Sequence, residues 1–600
     1  MTDYVVILSV GPVQSLIAAA RKSRDLWSGS GLLSELAKAC AYSLYAQGAD
    51  LIFPAVNKSN EQDLLPNSDF SVGNKIQAIV SAADLSSLKN TVEKAKQAAK
   101  QRFIDEANKV LEELPVQDTR EAIWQAQLKD YVEVQAAWAV LKSAENYSEA
   151  VGLASSALAA RKATRDFSPA ATNPYDSALM LPKSSLDGAR ETVLTEKTQN
   201  RTRLKLGLSD SEQLDCMGVV KRLGLKEVAE QFTPFSRIAA DAWLRDIEEK
   251  TPELLAPVNA AYEKLVKADL ATRVKGNKGI YSALPFDGQL LYRSRFDAAV
   301  RDGKHDSETS QLLSEFKSAI KPLWDSYKQP NSYGVLLLAD GDRMGELLDK
   351  AKTVAAHKEI TQALSNFAGS VAEAMRRYFG HCIYAGGDDV LGFVPLNTAY
   401  VCAQALSELF TQSLKAIADK LEAPVPTLSV GLAIEHHVTP LSSIRALASQ
   451  AEAFAKGDHI NDAVKRRNAL GICLDVRSGN VTKLRFSWAD TDAHKTFNYW
   501  IGLYQQKSLP SRIAYDTRAV GMRTAGVAQN PEVQRGIEGA EFKRMLEHSR
   551  TNKGEKVNKE HIAILLKRAG EIGLQALADE LIVARWLAAR TQQDLGKDGE

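Results

Sequence analysis

The run Tyr-Ala-Gly-Gly-Asp-Asp-Val-Leu at 384–391, with an apolar segment on either side, constrains this chain more than any other stretch. Gly386 and Gly387 permit a tight turn and let a phosphate or base approach the backbone. Asp388 and Asp389 follow directly and supply hard oxygen donors of the kind Mg2+ or Mn2+ prefers. The string predicts a hairpin that carries carboxylates at its tip. Gly-rich acidic turns also occur as ordinary surface hairpins, so the surroundings decide what this one is.

Upstream, residues 333–345 read Tyr-Gly-Val-Leu-Leu-Leu-Ala-Asp-Gly-Asp-Arg-Met-Gly. Val335 to Ala339 is a short apolar run bounded by turn residues, as a buried strand requires. Asp340, Gly341 and Asp342 fall where that strand ends, a common place for ligand sites in sheet proteins. Between the two acidic motifs, Ile360, Leu364, Phe367, Val371 and Met375 recur at spacings of three and four and predict a helix over 355–379. The order strand, acid, helix, strand, acidic turn, strand lets Asp340 pair beside the hairpin. Clustered carboxylates repel unless a cation neutralises them, so metal binding is the physical reason for such an arrangement. This is the pattern of a palm-type nucleotidyltransferase.

The rest of the composition sets limits. Six hundred residues suggest several domains. Lys and Arg total 75 and Asp and Glu total 74, for a formal net charge of +1, which excludes a uniformly basic nucleic-acid coat. Basic character is local: Arg201, Arg203 and Lys205, then Lys221, Arg222 and Lys226, form a stretch that is either a solvated face or a contact for RNA phosphates. The opening residues lack the basic region and cleavage site of a signal peptide, and no apolar run approaches the roughly 18 to 20 residues needed to cross a membrane. The five cysteines, Cys40, Cys216, Cys382, Cys402 and Cys473, include no Cys-x-x-Cys pair. A reduced, cytoplasmic protein is the expectation.

Several separate runs carry a family likeness: Val-Gly-Pro-Val-Gln-Ser-Leu-Ile at 10–17, Ala-Arg-Lys-Ser-Arg-Asp-Leu-Trp-Ser-Gly-Ser at 20–30, Arg161-Lys162-Ala-Thr-Arg165-Asp166-Phe167, and Lys183 through Glu191. Glu212-Gln-Leu-Asp215, Lys221-Arg222, the two acidic motifs and Arg467-Asn468-Ala-Leu-Gly471 complete the set. With them the chain resembles the large subunit of type III CRISPR effector complexes, the Cas-ten family, in its Cmr or III-B branch. The resemblance implies an α+β, multidomain fold with two ferredoxin-like palm domains plus helical domains. It also implies partners: the other Cmr-type subunits, a guide RNA and a target RNA, with no membrane and no action as a free monomer.

The chain departs from that family in two places. Many relatives carry a zinc-binding Cys-x-x-Cys just before the Lys-Arg pair; here Asp215 and Gly218 stand in those positions, so no zinc is expected. Many relatives begin with a histidine-aspartate nuclease domain. This chain starts at the first palm strand; its only His-Asp dipeptide, His305-Asp306, sits in a polar stretch without companion histidines, and His436-His437 reads as a loop pair. No DNA-cutting site is expected.

The expected organisation is a first, noncatalytic palm over 1–209 with a helical insertion at about 82–165. A linking domain without a zinc knuckle covers 210–330, a catalytic palm 331–490, and a helical domain 491–600. The first palm has Gly11-Pro12-Val13-Gln14 and Leu-Ile-Phe-Pro-Ala-Val at 51–56 where the second has its acids. Phe286 to Tyr292 is read as a short hairpin, 424–436 as a strand of the second palm, and 440–456 as the helix after it. The stripe Ile562, Leu565, Leu566, Ala569, Ile572 is read as a packing face, toward a neighbouring subunit.

The chemistry implied is metal-assisted adenylyl transfer from ATP, with Mg2+ (or Mn2+) held by Asp340, Asp388 and Asp389. Gly386, Gly387 and Gly341 would lie against nucleotide, and Ser429 is a further contact candidate. In related cyclase palms a lysine near the end of the helix at 440–456 meets the triphosphate, which implies that role for Lys456; a lysine there also suits the helix dipole. Asp342 either binds metal or caps the following helix. The family implies a cyclic oligoadenylate product under target-RNA control. A structural subunit with a silent transferase, and a free-standing cyclic-dinucleotide cyclase, are the other readings.

Overall fold

The computed structural model describes residues 1–164, 181–228, 232–274, 279–302, 306–476, 480–551 and 554–595. Arg165, Asp166, Phe167 and His305 lie outside these.

Among the described residues, four strands form the first sheet: β1 (Thr2–Gly11), β2 (Asp50–Phe53), β3 (Lys75–Ala82) and β4 (Glu133–Leu141), in the order β2-β3-β1-β4. Six form the second: β5 (Tyr333–Asp342), β6 (His381–Gly386), β7 (Asp389–Val394), β8 (Thr427–His436), β9 (Ala469–Leu474) and β10 (Thr482–Ser487), in the order β10-β9-β8-β5-β7-β6. The two are the same design. In each, the first strand of the unit lies between the third and the fourth, with the second outside the third, and every pair among those four is antiparallel. That is the ferredoxin-like βαββαβ order. The second sheet continues past β8 with β9 in parallel and β10 antiparallel to β9.

β5 is apolar from Val335 to Ala339 because both of its faces are covered there, as in any strand buried on two sides. Val335, Leu337 and Ala339 face the core built around the helix Val354–Arg377. Leu336 and Leu338 face a core that also holds β1, β3 and the helix Ser23–Ala46 of the first half. The two palms thus share packed interior. Their pairing is reciprocal: the helix Ser23–Ala46 packs on β6, and the helix Val354–Arg377 packs on β2. Lys358 pairs with Asp50 across the junction, and the Tyr147 hydroxyl meets His357 Nδ1 at 2.9 Å.

The stretch 82–165 is not a helical insertion alone. Leu85–Glu112 and Tyr147–Ala163 are helices, but Glu133–Leu141 between them is β4, the edge strand that completes the first sheet beside β1. Its three alanines, Glu133, Gln135 and Leu141 favour helix intrinsically, and pairing to β1 overrides that preference.

The linking part is helical, with its own core around Trp243, Tyr262, Phe286, Phe316 and Trp324. Phe286–Tyr292 is not a hairpin: Phe286 bridges Arg273, Gly288 turns the chain at φ 72°, and Gln289–Leu291 closes as a 3-10 turn. Asp215 caps the helix Cys216–Leu223 by accepting from the Gly218 amide at 3.0 Å, and it also accepts from the Ser184 hydroxyl at 2.9 Å. Cys216 is buried, which pushes its thiol pKa up.

The basic stretch is mostly consumed internally. Lys221 is buried and donates to the Ala19 carbonyl at 2.7 Å. Arg222 is buried against Asp25 and also donates to the Leu206 carbonyl. Lys205 and Lys226 both pair with Glu113. The stripe on the helix Lys559–Ile572 packs inward too: Leu565 is fully buried, and Ile562, Leu566, Ala569 and Ile572 lie on the same core as the second sheet. Among the described residues no helix is long and apolar enough to cross a membrane.

Candidate active site

Strand register brings the acids together. β5 and β7 pair antiparallel through Ala339 opposite Val390, and one step further along the same register sets Asp340 opposite Asp389. On its other side β5 pairs β8, with Asp340 opposite Ser429 and Asp342 opposite Thr427. Like charges set directly across a strand pair are destabilising unless something neutralises them.

The hairpin supplies the third acid. Gly386 pairs with Asp389, so Gly387 and Asp388 form a two-residue loop. Gly387 has φ 68°, the left-handed conformation that glycine adopts freely and that a tight hairpin turn needs at its first central position. The loop folds over the end of β5. A methyl group on Gly341 would stand 2.7 Å from Asp388 Cβ and 3.0 Å from Asp388 Oδ2, so only glycine at 341 lets this carboxylate settle there. The Tyr384 hydroxyl lies over Gly386.

The electrostatics follow from crowding. Burial, a hydrogen bond with Asp340, and the charges of Asp388 and Asp340 push the Asp389 carboxyl up to about 8, against a weaker opposing pull from Lys456. Only the protonated form of Asp389 can donate to an ionised Asp340. Burial and then the Asp340 charge push Asp388 up as well. Tyr384 is raised by burial and by the two turn aspartates, so its hydroxyl remains a donor beside them. Lys456 ends the helix Leu441–Lys456 and pairs with Asp340; it also meets Glu452 Oε1 at 2.6 Å. Burial works against its charge, but these two acids outweigh it and raise its pKa.

Asp342 and Ser429 do something else. Asp342 is 2 % exposed and accepts from the Ser429 hydroxyl at 2.8 Å, the Thr427 hydroxyl at 3.1 Å and the Asn468 backbone amide at 2.9 Å. It caps no helix: the N-cap of the helix Met344–Lys350 is Arg343, itself at φ 63°. Ser429 is fully buried with its hydroxyl committed to Asp342. Asp342 therefore ties β5 to β8 and to the loop at 467–468. Arg467 and Asn468 both have positive φ, at 65° and 45°, a costly conformation for non-glycine residues that tends to cluster at functional sites. Arg467 donates its backbone amide to the Lys456 carbonyl at 2.9 Å and pairs with Asp458. Thr427, Glu452 and the conformation of Arg467–Asn468 carry no motif signal on their own; only their register against Asp342 and Lys456 reveals them.

The donor set suits a hard divalent cation in its chemistry, since three carboxylates crowd one strand end and the pKa of Asp388 and of Asp389 is pushed up there. Among the described residues no group of three or more acidic, histidine or cysteine side chains is arranged to hold a metal ion. The Lys456 ammonium instead takes the charge-neutralising place beside Asp340. Beyond the acids, a groove of about 400 Å³ runs between the palms, lined by Trp27, Ser30 and Ser34 of one helix, Ser365 and Gly369 of the other, and Tyr384.

The domain described as Cas10/Cmr2, second palm domain, matches residues 332–465, which contain Asp340, the acidic hairpin and Lys456. The domain described as CRISPR-associated protein Cmr2, N-terminal, matches residues 5–112. Both matched domains are of the Cas10/Cmr2 type, and together they cover less than half of the chain. Among Cas10/Cmr2 relatives, the CRISPR system Cmr subunit Cmr2 of Pyrococcus furiosus is 27 % identical over 226 residues, covering 32 % of this chain and 24 % of the relative. The match therefore spans about a quarter of that relative's length. Two solved structures share the fold. The type III-B Cmr-beta complex in its apo state has a chain with TM-score 0.59 at 13 % identity, covering 93 % of this chain and 78 % of its own. Cmr-beta bound to cognate target RNA gives TM-score 0.59 at 12 % identity, covering 92 % and 79 %.

Proposed function

We propose that this chain is the large subunit of a type III-B effector complex, and that within it the second palm transfers adenylyl groups from ATP to make a cyclic oligoadenylate messenger when target RNA is bound. The observation that carries this reading is the side-chain hydrogen bond between Asp389 and Asp340, just past the Ala339–Val390 pair of β5 and β7, with Asp388 on the adjoining turn. Three crowded carboxylates, two of them with raised pKa, are costly to keep unless they serve a cation.

Asp340, Asp388 and Asp389 would hold Mg2+ (or Mn2+). A bound divalent cation supplies charge neutralisation on the phosphates and a lowered pKa for an attacking ribose hydroxyl. The residues do the rest. Lys456 leaves Asp340 for the triphosphate, which frees that carboxylate as a ligand. Gly387, with open space at its α-carbon, lets phosphate approach the turn, and Gly386 makes room for the Tyr384 hydroxyl beside it. Asp342, Ser429 and Thr427 position β5 against β8, so they orient Asp340 without touching nucleotide. The interpalm groove accommodates nucleotide bases, and the first palm, which has Gly11 and Phe53–Pro54 at the strand ends where the second has its acids, holds the partner nucleotide without catalysing.

Guide and target RNA, with the other Cmr-type subunits, are the partners. Their control of the reaction requires that target binding favour the state in which Lys456 has released Asp340, through contacts that differ between the two states. The test is reconstitution with guide and matching target RNA, followed by mass spectrometry of the product from ATP and Mg2+. Oligoadenylate formed only with target supports the reading; RNA binding with no ATP conversion leaves a scaffold instead.

A further inference from the structure

At the opposite end of the second palm from the acids lies a second charged cavity. It has a volume of about 340 Å³ and sits where the first palm, the linking part and the start of the helix Leu441–Lys456 meet. Tyr333 at the far end of β5 pairs with His436, seven residues from the Asp340–Ser429 pair. At about 3.3 Å per residue the cavity is roughly 20 Å from the acids. A nucleotide held by Asp340 and Asp389 does not reach it.

Its walls carry more positive charge than the chain neutralises. Arg21 pairs with Glu212 at 3.2 Å, and Arg222 with Asp25. Three cations remain. Among the described residues the Lys22 ammonium donates to the Gly207 carbonyl oxygen and makes no ion pair. Arg24 makes no ion pair among the described residues, its Nε is buried without a hydrogen-bond partner, and its guanidinium lies 5.4 Å from the Phe232 ring centroid. Arg295, on the facing wall, is exposed and makes no ion pair among the described residues. The one further carboxyl in the wall, Asp287, is turned to backbone amides of Thr272 at 2.7 Å and Gln289 at 3.0 Å, and burial pushes its pKa up, toward the neutral form. Burial and the neighbouring Arg222 lower Lys22 to about 8, and the carboxyls of Asp25, Glu212 and Asp287 offset this only in part. Lys22 and Arg295 are exposed and Arg24 is half-buried, all three line the cavity, and a phosphate is the group that Arg and Lys together satisfy best.

We propose that this cavity is a second ligand site, separate from the acids, that takes one phosphate-bearing group of nucleotide size through Lys22, Arg24 and Arg295. The phosphate comes either from a free nucleotide or polyphosphate or from the backbone of an RNA strand threading the junction of the two palms. The volume lies at the small end of the usual range for ligand pockets, enough for one nucleotide unit. The site joins both palms and the linking part, so its occupant bears on how they sit together.

The test uses the full chain in EDTA, which removes metal-dependent binding at the acids. Inorganic pyrophosphate and a 5′-phosphorylated four-nucleotide RNA are titrated in separately. At least one probe should bind saturably, and more weakly as salt rises. Lys22→Gln combined with Arg24→Gln should weaken that binding roughly tenfold or more, and the exposed Arg295→Gln several-fold. Lys456→Gln, at the distant acids, should leave it unchanged. Tighter pyrophosphate binding assigns the site to free phosphates; tighter RNA binding assigns it to a strand. If the double variant does not fold, Arg295→Gln decides alone. Binding of neither probe, binding indifferent to the wall variants, or loss of binding in Lys456→Gln overturns the proposal.

Discussion

The backbone of Gly341 is the seat of the Asp388 carboxylate: a methyl group there would stand 2.7 Å from Asp388 Cβ and 3.0 Å from its Oδ2. The strand end that carries Asp340 and the hairpin that carries Asp388 therefore fit each other through one missing side chain. Gly341→Ala should push the hairpin tip away and cut ATP conversion by roughly 100-fold, since a misplacement of about 1 Å at the reacting groups has that scale of effect. The cost in stability should be only about 1–3 kcal/mol, as for a local overpacking. Gly345→Ala is the matched control, because open space surrounds that α-carbon. Rates and thermal melts of both variants check this.

Asp389 gives a pH signature. Its folded-state pKa of about 8 lies above its unfolded value near 4, so the native state binds more protons than the unfolded state between those limits. Stability of the metal-free chain should fall as pH rises from about 4 to 8, and Asp389→Asn should flatten that slope. Added Mg2+ should stabilise more at pH 8 than at pH 6, because the ligand must lose its proton to bind. Melting curves across that range, with and without Mg2+, measure both effects.

The salt bridge between Arg222 and Asp25 ties the linking part to the first palm, with side chains only 3 % and 0 % exposed. Arg222→Ala leaves a buried carboxylate without its partner and should cost about 3–5 kcal/mol. Arg222 holds the Asp25 carboxyl below its usual range despite the opposing effect of burial. That contribution is present above the unfolded pKa near 4 and is lost as pH falls through the lower folded value. Urea unfolding at pH 7 and at pH 3 should show the wild type converging toward the variant in acid.

Ser429→Ala removes one of three donors to a buried carboxylate. The expected loss is about 1–3 kcal/mol of stability, with KM for ATP unchanged within about twofold, because the hydroxyl points at Asp342 and not into the groove. A large rise in KM would mean that Ser429 meets nucleotide.

Much of the second palm is legible in the chain. The run Val335–Ala339, the spacing of Ile360 through Met375 and the glycines at 386–387 each point to the element that forms, because local pattern and tertiary burial agree there. β4 is hidden because its Ala and Gln residues prefer helix and only the open edge of β1 makes them a strand. Lys221 and Arg222 look like surface charge until the Ala19 carbonyl and Asp25 appear opposite them. The apolar stripe at 562–572 shows that the helix packs but not against what; the partner is the chain's own second core. Asp342 resembles a ligand or a cap in sequence, and only the register of β5 against β8 shows three donors converging on it.

The central claim is that Asp340, Asp388 and Asp389 form the seat of adenylyl transfer. The most direct measurement is mass spectrometry of products from ATP and Mg2+ formed by the complex with guide and matching target RNA, for the wild type and for Asp388→Ala combined with Asp389→Ala. The account predicts oligoadenylates from the wild type, at least 1,000-fold less from the double variant, a loss on the order of 4 kcal/mol in transition-state stabilisation, and equal target-RNA binding by both. Equal product from both proteins would contradict it.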